Sequence, residues 1–436
     1  MPPCEQEFPK RPPTDWHGPL SHGMLPGMRS PIPDYLREVL DACAQNTSGA
    51  VADYIPELAT VDPNLLGISL CTVDGAVYGS GDTDVLFTIQ SISKPFVYAL
   101  ALADRGLDAV LDKVDVEPTG EAFNELSLEK GSARPLNPMI NAGALTVHTL
   151  VGEPGATPVE RRARILDGLS AFAGRRLDCD EATYRSEAAT AFRNYAIANM
   201  LRSHDTIVED PEAVVEDYTW QCSILVTTRD LALMAATLAN GGVNPVTEEE
   251  VVDATVVRQV LSVMATCGMY DSAGDWISTV GFPAKSAVSG GIIGSLPGQV
   301  GIAAFSPRLD GHGTSAQGVE VCRRLSRDMG LHMMDAPQPA RATIRRAHTV
   351  RDSEGVEATV YALHGSIQFA GAERLLRDLT EADLVTHQIV LDLGRVHSVN
   401  DVARRMLLEA IHRLQLDGHE VTVVDPDDVL PPSPAI

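Results

Sequence analysis

The sequence is short of positive charge and of long apolar runs. Lysine and arginine together number 34, against 59 aspartate and glutamate residues, and the formal net charge is −25. An acidic field of this size repels phosphate backbones and anionic lipids, so we expect neither nucleic acid nor a membrane surface as a partner. No uncharged apolar run reaches the roughly 18 residues that a membrane-spanning helix needs, so the sequence predicts no such helix.

Paired cysteines are missing as well. The seven cysteines are scattered and none stands in C-x-x-C spacing, so the sequence predicts neither a zinc site nor a disulfide framework. Single scattered cysteines are typical of a reducing compartment. The first residues, MPPCEQEFPKRPP, lack the apolar stretch of a signal peptide. We therefore expect a cytoplasmic protein.

The chain is long enough for more than one domain, because a single core rarely grows beyond about 300 residues. Its 436 residues include 44% hydrophobic ones, which is ample for globular packing. Changes of composition predict five segments. They are a Pro- and Gly-rich arm at 1–30, a large domain at 31–335, a linker at 336–342, a small domain at 343–428 and a disordered tail at 429–436.

The large domain is predicted to belong to the α+β class. Apolar residues at helical spacing predict a helix from Ile32 to Gln45, and Asp74-Gly75 predicts a hairpin turn between two strands. Further strands are predicted within residues 281–307, after a mostly helical middle. Strands at both ends with helices between them predict a sheet assembled from distant segments.

Strand-like and helix-like runs alternate in the small domain. TIRRAHTV and ATVYALHG are predicted strands around a turn at Asp352–Gly355, and two further strands alternate with two helices. This order predicts a small α/β domain with a mostly parallel sheet.

Two stretches match the pattern S-x-x-K, which in some hydrolases is a serine nucleophile with its own lysine base. The first runs from Ser91 to Lys94 between the apolar runs LFTI and PFVYALALA, and Pro95 places it at the start of a helix. The second runs from Ser127 to Lys130 in the polar stretch FNELSLEKGSARP. We expect the second match to be a solvated turn without chemistry.

The first match allows two interpretations. A lysine buried without a carboxylate has a lowered pKa, so a neutral Lys94 can take the Ser91 proton while N–H groups at the helix start stabilise an oxyanion. Alternatively, Ser91 caps the helix and Lys94 extends to water. This stretch alone leaves both interpretations open. Ser93 is interpreted as an ordinary hydroxyl at a helix start.

Nine segments of the large domain resemble, in the same order, those of the serine-dependent glutaminase family. They are YIPELA, CTVDG, QSISKPF, NPMINAGAL, SEAATAFRN, CSILVTT, MAATLANGG, CGMYD and PAKSAVSGG, within Tyr54 to Pro307. The resemblance implies a serine β-lactamase-like, penicillin-binding-protein type of fold. It also implies a homo-oligomer, dimer or tetramer, that hydrolyses L-glutamine to L-glutamate and ammonia without a metal or cofactor.

The resemblance also assigns roles to residues by their position in these segments. Ser91 matches the nucleophile and Lys94 the general base. Tyr270 matches an active-site tyrosine, and the backbone N–H of Val288 matches the partner of the Ser91 N–H in the oxyanion hole. The residues that match the substrate site are Tyr54, Gln90, Ser91, Asn141, Glu187, Asn194, Tyr218, Tyr270 and Val288.

Two details of the sequence bear on these roles. Glu187 and Asn194 are seven residues apart, so a helix would present both on one face, where a carboxylate and amides suit the two charged ends of an amino acid. Ala287 stands after Lys285-Ser286 where the family usually has glycine. We expect its methyl group to crowd the substrate.

The small domain resembles a STAS domain in the stretch IVLDLGRVHSVNDVARRMLLEAIHRL. Regulatory members often have a phosphorylatable serine after an aspartate at the start of this helix. Here the pair is Asn400-Asp401, so no phosphorylation switch is expected at that position, and Ser398 is interpreted as a strand-end or capping residue. The resemblance implies protein contact, self-association or sensing of a small ligand.

Two other functions stay open. One is a β-lactam-binding hydrolase or peptidase of the same fold, although the sequence has no convincing S-D-N motif or signal peptide. The other is a catalytically silent regulatory protein that acts through its small domain.

Overall fold

The computed structural model describes residues 32–121, 125, 127–335, 343–351, 357–367, 369–381 and 386–431. The predicted arm and linker, the turn at 352–355 and the last five residues lie outside this part of the chain. Contacts divide the chain into two compact units, Met1–Met333 and Met334–Ile436. No helix of the described residues is long and apolar enough to cross a membrane.

The first unit is a mixed α+β structure. Its helices are α1 (Ile32–Cys43), α2 (Pro56–Ala59), α3 (Ser93–Arg105), α4 (Leu107–Leu111), α5 (Asn141–Thr149), α6 (Pro158–Ala173), α7 (Glu181–Thr190), α8 (Phe192–Ser203), α9 (Pro211–Cys222), α10 (Thr228–Ala239), α11 (Ala254–Cys267), α12 (Ala273–Thr279) and α13 (Ala316–Met329). Its strands are β1 (Gly67–Thr72), β2 (Val77–Gly81), β3 (Phe87–Thr88), β4 (Asp178–Cys179), β5 (Ile224–Val226), β6 (Ala284–Ser286), β7 (Gly291–Leu296) and β8 (Val300–Phe305).

Five strands form the main sheet, in the antiparallel order β2-β1-β8-β7-β6. β1 and β2 are the hairpin predicted at Asp74-Gly75, and they pair Gly67 with Gly81. The other three strands come from residues 284–305, so the prediction of a sheet assembled from distant segments is confirmed.

Helices cover both faces of this sheet. Along β8, Ala303 and Phe305 face a core shared with α3, α6, α10 and α11, whereas Ile302 and Ala304 face a core shared with α1 and α13. α10 packs so close to the sheet that a Cβ at Gly301 would lie 2.1 Å from the Ala236 backbone nitrogen. Only glycine fits there.

A small sheet of order β3-β5-β4 fixes the segment that leads to Ser91. Phe87 of β3 pairs with Val226 of β5, and the Ile89 N–H donates to the Ile224 carbonyl at 2.8 Å. The backbone is therefore tied to α9 and β5 up to the residue before Gln90.

The second unit alternates strands and helices as predicted. Its elements are β9 (Ile344–Arg351), β10 (Glu357–Leu363), β11 (Gly365–Ile367), α14 (Phe369–Glu381), β12 (Gln388–Asp392), β13 (Val396–Val399), α15 (Asp401–Leu416) and β14 (Glu420–Val424). The sheet order is β14-β12-β10-β9, in which only β9 is antiparallel to its neighbour, so the mostly parallel sheet is confirmed. The short β11–β13 pair is an addition to the prediction.

The prediction that residues 429–436 are disordered is wrong for the first residues of this range. The Asp425 carboxylate accepts hydrogen bonds from the N–H groups of Val429 (3.0 Å) and Leu430 (2.8 Å). This turn folds the chain back, and Leu430 is buried in the core of the second unit. DPDDVLPPSPAI is rich in proline and acidic residues, so its composition did not indicate that Leu430 packs in the core.

Candidate active site

Ser91 lies in a 3-10 turn, Gln90–Ile92, immediately before α3. The residue that caps α3 is Ile92, and no side chain bonds to the helix end there, so Ser91 does not act as the helix cap. Gln90 has a φ of +48°, which is unfavourable for a residue with a Cβ. The tertiary structure therefore holds this turn in a conformation that the chain alone would avoid.

Lys94 is buried, with 2% of its surface exposed, so the interpretation in which it extends to water is wrong. Its Nζ lies 2.9 Å from the Met139 carbonyl oxygen, 2.7 Å from Asn141 Oδ1 and 3.2 Å from Tyr270 Oη. Burial lowers its pKa from 10.5 to about 7. The amine donates to these oxygens, and no carboxylate among the described residues pairs with Nζ to offset the desolvation that disfavours the charged form.

Tyr270 lies between the serine and the lysine. Its hydroxyl is hydrogen-bonded to the Ser91 side chain and contacts Lys94 Nζ. Burial raises its pKa well above the ordinary value, so the phenol keeps its proton at neutral pH. Like Gln90, it has a positive φ, +55°, in the 3-10 turn Tyr270–Ser272.

A second buried lysine, Lys285 of β6, packs on the other side of this tyrosine. Its Nζ lies 3.9 Å from the centre of the Tyr270 ring and donates to the Ser286 carbonyl at 2.7 Å. Burial and then the charge of Lys94 lower its pKa well below the ordinary value. The sequence motif alone did not indicate this contact, because 15 residues of chain separate Lys285 from Tyr270.

Eight of the predicted site residues line one cavity of about 290 Å³. Its lining consists of Tyr54, Ile55, Gln90, Ser91, Asn141, Glu187, Thr190, Ala191, Arg193, Asn194, Tyr218, Cys222 and Val288. Lys94 and Tyr270, the other two predicted residues, lie behind Ser91 through the contacts described above. The volume suits a small metabolite, since pockets for larger ligands are typically about 300–1,000 Å³.

One end of the cavity is rich in carboxylate and amide groups. Gln90 Nε2 donates to Glu187 Oε2 at 2.9 Å, and Asn141 Nδ2 donates to Asn194 Oδ1 at 2.9 Å. Burial raises the pKa of Glu187 to about 7, and the nearby Glu57 carboxylate adds to this rise. A cationic group that entered this end would restore the charged carboxylate.

Glu187 and Asn194 do not share one helix, so that prediction is wrong. α7 ends at Thr190 and α8 begins at Phe192, because Ala191 leaves the helical region with a ψ of 32°. The chain bends at this point, and both side chains still reach the same cavity. No proline or glycine marks the break, so the local sequence gives no signal for it.

A second, much smaller space of about 10 Å³ lies against Ser91. Its other lining residues are Tyr270, Ser286, Ala287, Val288 and Gly313. This is room for a single oxygen-sized group. It lies between the two residues whose N–H groups are predicted to form the oxyanion hole, and Ala287 is buried beside it.

The second S-x-x-K match is a solvated turn at Lys130, as we predicted, but not at Ser127. Ser127 is buried and donates a hydrogen bond to Glu121, whereas Lys130 is exposed. Ser93 is likewise more than a helix-start hydroxyl, since it accepts from Gln221 Nε2 at 2.8 Å.

A groove elsewhere in the described residues has no serine–lysine pair like that of Ser91 and Lys94. A larger groove of about 720 Å³ between α7, α8 and α9 is lined by tyrosine, alanine, acidic, arginine, asparagine and proline side chains, without a serine or lysine. Within the described part of the chain, no group of three or more His, Cys, Asp or Glu side chains is placed to hold a metal ion.

Comparison with known proteins identifies both units. The glutaminase family model matches residues 49–334 and the STAS domain model matches residues 348–430. The glutaminase of Corynebacterium glutamicum is 50% identical over 401 residues, which cover 92% of this chain and 96% of that protein.

Solved structures agree with these matches. The crystal structure of Mglu in its glutamate form is 45% identical, with a TM-score of 0.83, and covers 92% of this chain and 100% of that one. A probable glutaminase from Bacillus subtilis, complexed with 6-diazo-5-oxo-L-norleucine, is 33% identical with a TM-score of 0.64 over 72% of this chain and 100% of that one. The resemblance found in the ordered segments is thereby confirmed, and the chain belongs to the glutaminase family, as an enzyme of that family followed by a STAS domain.

Proposed function

We propose that this chain hydrolyses L-glutamine to L-glutamate and ammonia, with Ser91 as nucleophile and Lys94 as base. The observation that carries the proposal is the set of contacts around Lys94. Its neighbours are two carbonyl oxygens and one hydroxyl, and no carboxylate pairs with Nζ among the described residues, so burial favours the neutral amine. A lysine in this state accepts a proton at neutral pH.

The proton path runs through Tyr270. Tyr270 Oη contacts both the Ser91 side chain and, at 3.2 Å, Lys94 Nζ. As the serine oxygen attacks the Cδ carbonyl of glutamine, its proton passes to Tyr270 and the tyrosine proton passes to Lys94. The N–H groups of Ser91 and Val288 stabilise the oxyanion, and the small space beside them has the size for one oxygen atom.

The same groups then reverse their roles. Lys94 returns the proton through Tyr270 to the leaving nitrogen, which departs as ammonia and leaves a glutamyl ester on Ser91. A water molecule attacks this ester after giving its proton to the same relay, and Ser91 is restored with release of glutamate.

The polar end of the cavity selects a free amino acid. Glu187 binds the α-ammonium group, and Asn141 and Asn194 bind the α-carboxylate. Tyr54, Gln90 and Tyr218 enclose the rest of the molecule. Recognition by buried polar groups is selective, because a ligand without matching groups leaves them unpaired.

Replacing Ser91 with alanine tests this mechanism. We expect ammonia release from glutamine to fall by roughly 10³-fold or more, while glutamine still raises the thermal unfolding temperature. Ser127→Ala is the matched control in the other S-x-x-K stretch, and it should keep the activity. Normal ammonia release by Ser91→Ala would show that Ser91 is not the nucleophile, and nitrocefin turnover equal to glutamine turnover would favour a β-lactam hydrolase.

We infer further that the first unit has a serine β-lactamase-like fold. Helices on both faces of the antiparallel sheet, with the nucleophile at the start of a helix and β6 beside it, support this inference. The cytoplasmic location and the dimer or tetramer stay predictions, and size-exclusion chromatography with light scattering would measure the oligomeric state.

The STAS domain is proposed to bind a protein, a second copy or a small ligand. Asn400 caps α15 through a hydrogen bond from the Ala403 N–H at 2.8 Å, so its side chain serves the helix start. Asp401 follows it, at the position where regulatory members often have a phosphorylatable serine. Comparing the glutaminase activity of the full chain with that of residues 1–336 tests a regulatory role. Equal activity and equal oligomeric state would argue against it.

A further inference from the structure

A loop on the oxyanion side of Ser91 is joined to the turn that carries Tyr270. His312 Nδ1 lies 2.9 Å from Oδ2 of Asp271, the residue that follows Tyr270. The loop itself is ordered by Asp310, whose carboxylate accepts from the N–H groups of His312 (2.9 Å) and Thr314 (3.0 Å). The ion pair is therefore a link between two well-defined turns.

Both turns border the reacting atoms. Gly313, next to His312, lines the small space beside Ser91 together with Tyr270 and Val288. Tyr270 has a positive φ that a tyrosine adopts only when its surroundings enforce it. A contact at the adjacent residue is well placed to keep the hydroxyl between Ser91 and Lys94.

We propose that His312 is a positioning residue for the hydrolysis: its protonated ring, paired with Asp271, holds the Tyr270 turn against the loop that closes the oxyanion side of Ser91. This proposal rests on the proposed function, because it assigns Tyr270 to the proton path. His312 itself touches neither substrate nor reacting atoms, and it acts through the position of Tyr270.

The charges around His312 favour its protonated form. Asp271 faces it from the 3-10 turn, Asp275 from α12 and Asp310 from its own loop, and all three raise its pKa above the ordinary 6.5. Arg323 of α13 opposes them only indirectly, through Asp275 at 3.9 Å. Because the folded pKa is raised, the ion pair is fully present below pH 6.5 and is lost as the pH rises through the raised pKa.

Two ionisations then bound the active pH range. Lys94 must lose its proton, which happens near its pKa of about 7, and His312 must keep its own. The rate should rise with pH as Lys94 loses its proton, and it should decline at higher pH as His312 loses its own. An exposed pair contributes little to folding, and 57% of the His312 side chain is exposed, so the thermal unfolding temperature should hardly change.

The test compares kcat against pH for the full chain, four single variants and one double variant. His312→Gln and Asp271→Asn should each lower kcat by about 5- to 20-fold with KM within about twofold, because misplaced catalytic groups slow the chemical step without loosening the amino-acid end. His312→Arg keeps a permanent cation, so it should keep most of kcat and lose the alkaline decline. His412→Gln, an exposed histidine on α15, is the matched control and should behave as the wild type.

The two variants of the pair combined should be no worse than either alone, since each already breaks the same contact. The proposal is overturned if His312→Gln keeps the wild-type kcat and pH profile, or if His312→Arg shows the same alkaline decline as the wild type. Either result would leave the nucleophile assignment intact, because Ser91→Ala tests that separately. Failure of Ser91→Ala to lose activity would instead refute the proposed function.

Discussion

The substitution Asn141→Asp tests whether a neutral Lys94 is the base. Asn141 Oδ1 lies 2.7 Å from Lys94 Nζ, so the variant puts a carboxylate oxygen in contact with the amine while keeping the shape of the side chain. A carboxylate at this distance favours the charged ammonium and raises the lysine pKa. The reaction should then be inhibited at neutral pH and recover at alkaline pH.

The magnitude follows from the lysine pKa. At pH 7 a lysine of pKa 10.5 is neutral in about 0.03% of molecules, whereas at a pKa of about 7 half of the molecules are neutral. An opposite charge in contact shifts a pKa by roughly 1–3, which would bring Lys94 to roughly 8–10 and lower the neutral fraction at pH 7 by roughly 5- to 500-fold. We expect kcat to fall by the same factor.

The assay is the initial rate of ammonia release at saturating glutamine, from about pH 6 to about pH 10. Asn194→Asp is the control, because it also adds a carboxylate beside the substrate carboxylate but bonds to Asn141 and not to Lys94. Both variants should raise KM, and only Asn141→Asp should move the acid limb of the kcat–pH profile to higher pH. If the limb stays at the wild-type position in both variants, Lys94 is not the group whose deprotonation starts the reaction.

Three further substitutions have outcomes set by the same site. Glu187→Gln should raise KM by about 10- to 100-fold, because it removes the charge that binds the ammonium group, and an unchanged KM would contradict this role of Glu187. The stability of the wild type should fall between pH 4.5 and 7, because the raised pKa of Glu187 makes the folded chain hold an extra proton there. The variant should lose this fall in stability. Lys285→Met should raise the thermal unfolding temperature at pH 7, because burial disfavours the protonated lysine in the folded chain but not in the unfolded one. It should also lower kcat by about 10-fold, because the contact with Tyr270 is lost. A lower unfolding temperature would contradict the first of these predictions. Ala287→Gly should raise kcat/KM by about 2- to 10-fold if the methyl group crowds the oxyanion space, and a decrease would refute that reading.

The sequence predicted the burial of Lys94 and the helix start beside Ser91 correctly, for physical reasons that are local. Apolar runs on both sides of Ser91-Ile92-Ser93-Lys94 indicated burial, and Lys94 is in fact buried. Pro95 fits only the first turn of a helix, and α3 begins two residues before it. The hairpin at Asp74-Gly75 and the alternation of the second unit are also local patterns, and both are confirmed.

Contacts between distant segments could not be predicted in this way. Nothing near Lys94 indicates that its acceptors are the Met139 carbonyl and Asn141, or that Lys285 packs on Tyr270. The break at Ala191 lies in a stretch without proline or glycine, so tertiary packing and not a strong helix breaker decides it. The resemblance in the ordered segments predicted Glu187 and Asn194 as site residues. Helical periodicity alone wrongly placed both of them on one helix, whereas they lie on α7 and α8.

The difference between the two S-x-x-K stretches is a difference in folding free energy. Keeping Lys94 neutral at pH 7 costs about 5 kcal/mol, from the difference between pKa 10.5 and about 7 at 1.36 kcal/mol per unit. This is comparable with the whole net stability of a typical domain, about 5–15 kcal/mol. Gln90 and Tyr270 add backbone strain at the same place. The extensive core on both faces of the main sheet contributes the burial that offsets such a cost. Lys130 is exposed, so its stretch carries no desolvation cost of this kind.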